Sequence, residues 1–372
     1  MAASSPPPPS PVAGGGRWWS GPVARYTVGL VLGGVALWAV TGQRGELTGL
    51  GSELSRINPL WVVLAVIAEF LSFVAFSRMQ GRLLRAGGCR MNGLRLLSMT
   101  AAAATIASSL PAGPAVASVY AYRQYRRAGA DESLSVWTLF ATLACSALGL
   151  ALLASAGVSL AEQRGAAYDL IGVTVGVLAL ALLLVTLLWR RRVLEAVAVR
   201  CLRVVKAVTR RPKSDIERLV ATVVRHLDRV HLGWRDFVSA MAWSMANWML
   251  DCACLAAGYL AVGAGVPWRG LLLAYGAGQL AANLPVTPGG LGVVEGSLTV
   301  ALVAYGGAQA STVAAVILYR IVSFWGFLPV GWAAWGALAI RDRRSDRRSP
   351  PGPAEQMLAG VRPPATTAEP VP

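Results

Sequence analysis

Two charged residues stand out in the C-terminal part of the sequence because everything around them is uncharged. Between Arg269 and Arg341 the only charged residues are Glu295 and Arg320. An isolated charge in the middle of a bilayer costs at least about 2.5–3.5 kcal/mol, so each needs a partner, water or a ligand. Two interpretations are open: the two residues pair with each other, or Arg320 holds a lipid phosphate while Glu295 meets a cationic group or a proton.

Other polar side chains lie inside apolar stretches at helical spacing. Asn247 and Asp251 are four residues apart, as are Gln279 and Asn283, so each pair shares one helix face. Glu69 is the lone charge in its apolar stretch. Each of these residues could line a site, or could form an interhelical hydrogen bond worth on the order of 1 kcal/mol.

Two runs rich in proline and glycine interrupt apolar stretches at corresponding places in the two halves of the chain. They are SLPAGP at 109–114 and NLPVTPGG at 283–290. Proline removes a backbone donor, and broken helices persist in a membrane only where they line a cavity or are buried in protein. Paired breaks in two halves indicate a transport site between inverted repeats. The alternative is two unrelated proline kinks.

The elements that would carry these residues are long apolar stretches that recur along the whole chain, which disfavours a soluble core. They predict an all-α, polytopic integral membrane protein with about six to eight transmembrane helices. We expect the two broken segments, 96–122 and 270–305, to be related in an inverted-repeat arrangement. The stretches are 26–41, 59–77, 96–122, 133–161, 170–189, 237–262, 270–305 and 312–340.

Basic residues lie between the apolar stretches and give the chain a net charge of +16. This is the pattern of the positive-inside rule, so we expect membrane lipids and no nucleic acid as partners. Arginines flank 96–122 on both sides, which predicts a hairpin that enters from the cytoplasm and returns. The segment 270–305 is either a hairpin from the opposite side or two short spans. Both termini are predicted to be cytoplasmic.

The sequence divides into a membrane domain and polar flanks. We predict disordered cytoplasmic tails at 1–24 and 341–372, which are rich in proline, and a membrane domain at 25–340. The basic segment 190–236 predicts amphipathic helices on the anionic cytoplasmic leaflet, or packed against the spans. Nearly all basic residues are arginine, which is typical of a GC-rich bacterial genome and indicates a bacterial inner membrane.

Cysteines and histidines show no metal-binding pattern, and there is no phosphate-binding loop for ATP. We therefore expect neither a metal nor another cofactor. Energy for transport would come from a gradient, or none would be needed.

The run NLPVTPGGLGVVEGSL (283–298), followed by LYRIVSFWGFLPVG (318–331), resembles the flippase-like transmembrane region of lysylphosphatidylglycerol synthases, the multiple peptide resistance factors. SLPAGPAVASVYAYRQYRRAGA (109–130) and WMLD (248–251) are similar to two further stretches of that family. The resemblance covers about residues 25–340. In full-length members this region is linked to moving aminoacylated phosphatidylglycerol to the outer leaflet. Those proteins carry a soluble aminoacyl-transferase domain after the spans; here the sequence continues with a short polar tail.

The resemblance implies that the functional positions are Pro285, Gly289, Gly290, Gly292, Glu295, Tyr319 and Arg320. We predict a lipid flippase or lipid-binding transporter with no catalytic residue, acting on an aminoacyl-phospholipid or a polyprenyl-phosphate-linked glycolipid made by a separate enzyme. Arg320, helped by Arg123, would hold the phosphate, while Asp251 and Glu295 contact other headgroup atoms. Asn283 and Pro111 complete the predicted substrate-binding set. The alternatives are a membrane transferase acting on lipid-linked sugars or aminoacyl groups, and an assembly factor that recruits a partner through 190–236.

Overall fold

The structure, a computed structural model, describes residues 57–110, 113–161, 232–282 and 288–348, with isolated positions 175, 176, 179 and 183. Every regular element within these ranges is helical, which confirms the all-α prediction. Three helices are long and apolar enough to cross a membrane: Pro59–Ala86, Glu132–Leu160 and Gln309–Arg344. The predicted spans 26–41 and 170–189, the N-terminal tail and most of the basic linker lie outside the described residues.

The described part of the first half contains four helices. Helix α1 begins at a proline whose missing N–H is not needed there, and the side chain of Asn58 caps it by accepting the Leu60 N–H at 3.0 Å. Helices α2 and α3 are separated by the first proline-glycine break. The bounds are α1 Pro59–Ala86, α2 Gly93–Ser109, α3 Gly113–Arg127 and α4 Glu132–Ala161.

The second half repeats this order with a second break, and two helices rather than one follow its hairpin. A single turn of 3-10 helix, Pro288–Gly290, lies inside the break, and a π-helical turn, Ile321–Trp325, follows the eighth helix. The bounds are α5 Trp234–Ala261, α6 Trp268–Ala282, α7 Val293–Ala304, α8 Gln309–Arg320 and α9 Phe327–Arg348.

Both broken segments are hairpins whose two arms begin and end at the same side of the protein. At the base of α2 and α3, Arg95 donates to the Gln124 side chain at 3.5 Å. At the base of α6 and α7, Gly270 lies so close to Tyr305 that a side chain there would collide with its ring. The first segment is a hairpin, as predicted, and the arms of the second also begin and end at one side of the protein, as both of its predicted alternatives require. With 17 and 15 residues, α2 and α6 are about 26 and 22 Å long, less than a bilayer core of about 30 Å.

The two halves are inverted copies related by a pseudo-twofold axis. Helix α1 begins at Pro59 and α5 at Trp234, 175 residues later; α2 begins at Gly93 and α6 at Trp268, again 175 residues later. Helices α1 and α5 pack antiparallel, since the Asn58 N–H donates to the Ala261 carbonyl at 2.9 Å and the Ser72 hydroxyl donates to the Asn247 side-chain oxygen at 3.1 Å. Ser72 and Asn247 are themselves 175 residues apart, so the axis passes between them.

Each hairpin packs against the final helix of the other half. A side chain at Gly331 of α9 would collide with Thr105 and the Ala101 carbonyl of α2, and a side chain at Gly276 of α6 would meet the Ala154 Cβ of α4 at 3.1 Å. These two contacts are equivalent under the pseudo-twofold axis. The hairpins therefore hold the halves together, and small residues permit the close approach.

The end of α9 extends past the predicted membrane domain. Ile340 was the predicted last residue, but the helix continues to Arg348. Asp342 explains the extension, because its side chain is buried against the first hairpin, where Arg127 lies 2.5 Å away. The predicted disordered tail thus begins inside a helix; residues after 348 lie outside the described ranges. At its other edge, the predicted linker 190–236 overlaps the first turn of α5.

The outer face of α1 is apolar and exposed. Large side chains along it have exposed fractions between 47% and 62%; they are Leu60, Val63, Val66, Ile67 and Phe70. A soluble monomer rarely exposes a contiguous apolar surface of this kind. The face is suited to contact with lipid tails.

Candidate functional site

The tips of the two hairpins meet inside the protein. A Cβ at Gly289, in the second break, would lie 3.1 Å from the carbonyl oxygen of Ser108, next to the first break. The backbone of the second break is left-handed at Gly289, Gly290 and Gly292, with φ of 64°, 68° and 80°. Glycine adopts this conformation without steric cost, which explains why three glycines occur within four residues.

Arg320, the last residue of α8, is bound to the second break. Its Nε donates to Glu295 Oε1 at 2.6 Å and its Nη2 to the Gly289 carbonyl at 3.0 Å. The guanidinium carbon also lies 4.4 Å from the centre of the Phe324 ring, a cation–π contact. Of the two interpretations of the isolated charges, pairing of Glu295 with Arg320 is present in the structure.

Glu295 connects this ion pair to the start of α7. Its second oxygen, Oε2, accepts the N–H of Gly292 at 2.7 Å, so the carboxylate caps the helix that it belongs to. The Glu295 side chain is 27% exposed, compared with 11% for Arg320. The carboxylate is therefore the more accessible partner, and it is also held by the backbone.

The ion pair lies deep in the fold. Arg320 is the twelfth residue of α8, which places it about 17 Å along the helix from Gln309. Its contacts use Nε and Nη2, and Nη1 has no hydrogen-bond acceptor among the described residues.

A second polar group surrounds Asp251 on α5. Its Oδ2 accepts from the Tyr275 hydroxyl at 2.7 Å and from Gln279 Nε2 at 3.3 Å. Gln279 Nε2 also lies 3.2 Å from the hydroxyl of Tyr319, the residue that precedes Arg320. Asp251 and Arg320 thus belong to two adjacent groups that are joined through Gln279 and Tyr319.

The structure brings most of the predicted site residues together. Six of them, namely Asp251, Gly289, Gly292, Glu295, Tyr319 and Arg320, take part in these two groups, and Gly290 lies between two of them. Asn283, Pro285 and Pro111 lie outside the described residues. Arg123 is exposed, about 15 Å along α3 from the start of that helix at the tip, and is not part of either group.

Two residues of the site were not predicted from the sequence. Tyr275 is four residues before Gln279 and on the same helix face, so helical spacing could have identified it. Phe324 lies four residues after Arg320, but the π-helical turn between them alters the direction of its side chain. Asn247, considered for the site, instead bonds Ser72 at the pseudo-twofold axis.

Comparison with known families gives a match over most of the chain. The family described as "Lysylphosphatidylglycerol synthase TM region" matches residues 26–331. No curated protein matches the chain. The matched range includes both hairpins and every residue of the two polar groups.

Proposed function

The chain belongs to the lysylphosphatidylglycerol synthase transmembrane-region family, and from this premise we propose that it translocates a lipid by holding the polar headgroup where its two hairpins meet. The lipid tails would remain in the membrane while the headgroup passes the hairpin tips. The cargo would be an aminoacyl-phospholipid or a polyprenyl-phosphate-linked glycolipid supplied by a separate enzyme.

The observation that carries this proposal is the position of Arg320 along its helix and the hydrogen bonds of its guanidinium. A guanidinium about 17 Å along a membrane helix is costly unless it has a function or full compensation. Glu295 and the Gly289 carbonyl engage two of its nitrogens, while Nη1 has no acceptor among the described residues. A phosphate could replace Glu295 at Nε and share Nη2 with the Gly289 carbonyl, because Nε and Nη2 carry parallel N–H groups that favour two-point binding.

Glu295 and the start of α7 would receive the remainder of the headgroup. When phosphate displaces Glu295 from Arg320, the carboxylate keeps its bond to the Gly292 N–H and is free to bind an ammonium group. This exchange suits a cargo that carries both charges, such as an aminoacyl-phospholipid. The N-terminal turn of α7 adds positive potential for the phosphate.

Arginine positions support the proposed orientation in a bacterial inner membrane. Asp342 near the end of α9 contacts Arg95 and Arg127 at the base of the first hairpin, which places these basic segments at one end of the protein. By the positive-inside rule this end would face the cytoplasm. The first hairpin would then enter from the cytoplasm and the second from outside.

The test is lipid movement in liposomes that contain the purified protein and a fluorescently labelled phosphatidylglycerol. Arg320→Ala should lower the rate by roughly tenfold to a hundredfold, the equivalent of losing one charged hydrogen bond. Arg320→Lys should restore little, since a lysine cannot bind Glu295, Gly289 and phosphate together. Arg82→Ala is the matched control, because Arg82 is an exposed arginine of α1 outside the hairpin tips, and its rate should equal that of the wild type. Normal transport by a correctly folded Arg320→Ala protein would refute the headgroup role.

The same liposomes separate the two alternative functions. A transferase would convert the labelled lipid, so the recovered lipid should be analysed by mass spectrometry for a change in chemistry. An assembly factor would lose its function in cells when residues 190–236 are deleted, and Arg320→Ala would remain active. Unchanged lipid that relocates only when Arg320 is present supports translocation.

A further inference from the structure

Glu69 is a buried carboxyl with an unsatisfied oxygen. It lies in α1, on the face turned toward α5, and is only 4% exposed. Its Oε2 is buried and has no hydrogen-bond partner among the residues that the structure describes. A buried charged oxygen without a donor is unfavourable, so this atom needs an explanation.

Asp251 faces Glu69 across the interface between α1 and α5. From Asn58 to Ser72 along α1 is 14 residues, and from Ala261 back to Asn247 along α5 is also 14, so the two helices pack in a fixed antiparallel register. Glu69, one turn before Ser72, therefore faces Asp251, one turn after Asn247, and the two carboxyl groups are near enough to interact electrostatically. Asp251 Oδ1 is likewise buried and has no partner within the described ranges.

The remaining groups around the pair come from three helices. Cys254 of α5 contacts Glu69, and Tyr275 of α6 donates to the other oxygen of Asp251. From α8, Tyr319 contacts Asp251, and Arg320 is near enough to interact with it electrostatically. Arg320 is thus the only cation facing the pair among the described residues, and it is already bonded to Glu295.

One proton accounts for both unsatisfied oxygens. Ionising both of two neighbouring carboxyls away from water is costly, because each is then an acceptor and the two charges repel. A single proton between them makes one a donor and the other an acceptor. The titration then belongs to the pair rather than to either residue.

We propose that Glu69 and Asp251 form a proton-binding site, and that binding of this proton favours phosphate binding at Arg320. The first statement stands by itself, and the second rests on the proposed function. Uptake of one proton changes the charge of the pair from −2 to −1. No other chemical step is involved.

The coupling follows from charge and from the contacts between the two groups. With the proton absent, the doubly negative pair attracts Arg320 and makes it a weaker binder of phosphate. With the proton present, less negative charge lies near Arg320. Gln279 links the carboxyl pair to the Arg320 group, because its amide contacts both Asp251 and Tyr319, the neighbour of Arg320. Proton and phosphate therefore bind with positive linkage.

The coupling is tested by binding a short-chain fluorescent phosphatidylglycerol to the purified protein across a range of pH. Wild type should bind more tightly as the pH falls through the titration of the pair. Glu69→Gln carries a neutral donor in place of the protonated acid, so it should bind tightly at every pH. Glu132→Gln, at the start of α4 and outside the pair, should keep the wild-type pH dependence. A wild-type pH dependence in Glu69→Gln would overturn the coupling.

The proton site itself is tested without any lipid. Infrared spectroscopy of the wild-type protein should show the carbonyl stretch of a protonated carboxyl that disappears as the pH is raised. Glu69→Gln and Asp251→Asn should each lack this band, whereas Glu132→Gln should retain it. If wild type shows no such band, the proton site is refuted. If Arg320→Ala transports normally while the band is present, the proposed function fails and the proton site stands.

Discussion

Gly289 is constrained both by its backbone conformation and by its neighbours. Its φ of 64° lies in the left-handed region, and a Cβ there would collide with the Phe324 ring and approach the Ser108 carbonyl at 3.1 Å. Its own carbonyl oxygen binds Arg320. The glycine is therefore what allows the hairpin tips, the cation–π contact and the ion pair to occupy one place.

Gly289→Ala should destabilise the protein more than a glycine substitution that changes conformation alone. The left-handed backbone costs about 1–2 kcal/mol for alanine, and overpacking against Phe324 and Ser108 adds about 1–3 kcal/mol. Gly88→Ala is the control, because Gly88 has a φ of 85° and open space around its Cβ position. Thermal unfolding in detergent should show the larger fall in melting temperature for Gly289→Ala. Equal falls for the two variants would contradict the close packing of the tips.

Sequence alone singled out Glu295 and Arg320 but left open whether the two residues pair. Glu295 and Arg320 could be predicted because a charge in a long apolar stretch is conspicuous in one dimension. The proximity of Glu69 and Asp251 could not be predicted, because it depends on the register of two helices that begin 175 residues apart in the chain. A charged residue in an apolar stretch can be recognised from the sequence, whereas its partner depends on how the helices pack.

At the scale of elements, a buried carboxylate fixes the first hairpin to the last helix. Asp342 of α9 accepts from Gln124 at 3.0 Å and contacts Arg127 and Arg95 at 2.5 and 3.5 Å. Both arms of the hairpin are thereby attached to α9 at their base. The tips, by contrast, are held by backbone contacts and by the Arg320 ion pair.

Asp342→Asn should loosen this attachment. It removes the charge that Arg95 and Arg127 share, which we expect to cost about 1.5–3 kcal/mol, toward the lower end because the Arg127 side chain is 49% exposed. Hydrogen exchange should increase at the base of α2 and α3 and remain unchanged at α6 and α7. Asp236→Asn, in the first turn of α5, provides a control with the same change of side chain. Uniform exchange changes in both hairpins would show that Asp342 does not act locally.

The two breaks could be predicted from the sequence because proline and glycine act on the local backbone. Whether 270–305 crosses the membrane or returns could not be predicted. Clusters of arginines flank only the first segment, and the second has few charges that would orient it. The contact of Gly270 with Tyr305 shows that both arms of this segment end at the same side of the protein, as either alternative requires. The extension of α9 past Ile340 was missed because a run of charged residues is typical of a tail, while Asp342 finds its partners on a distant element.

At the scale of the whole molecule, the halves interlock around the contact of α1 with α5. Hairpins pack on the final helices of opposite halves, so neither half has its full set of contacts without the other. If the hairpin tips moved relative to one another, the outer helices would have to shift around the interface between α1 and α5, the seam that both halves share. We expect the α1–α5 seam at the axis to remain closed.

A disulfide across the axis tests this expectation. In a protein without its native cysteines, Ser72→Cys with Asn247→Cys should cross-link readily, because the native side chains are 3.1 Å apart. Ser72→Cys with Met249→Cys is the control, since Met249 is exposed on the outer surface of α5. The cross-linked protein should still transport lipid in liposomes. Loss of transport that reduction restores would show that the seam opens.

The twofold relation of the backbone is not matched by the charges. The first half carries eight arginines from Arg78 to Arg127, and the residue 175 places after each one is uncharged: Ala253, Ala257, Leu260, Gly265, Gly270, Leu298, Ala301 and Leu302. A chain of this shape could enter the bilayer either way up with nearly the same helix contacts. By the positive-inside rule, we expect the arginines to decide between these two topologies during insertion, and their removal to leave a population facing both ways.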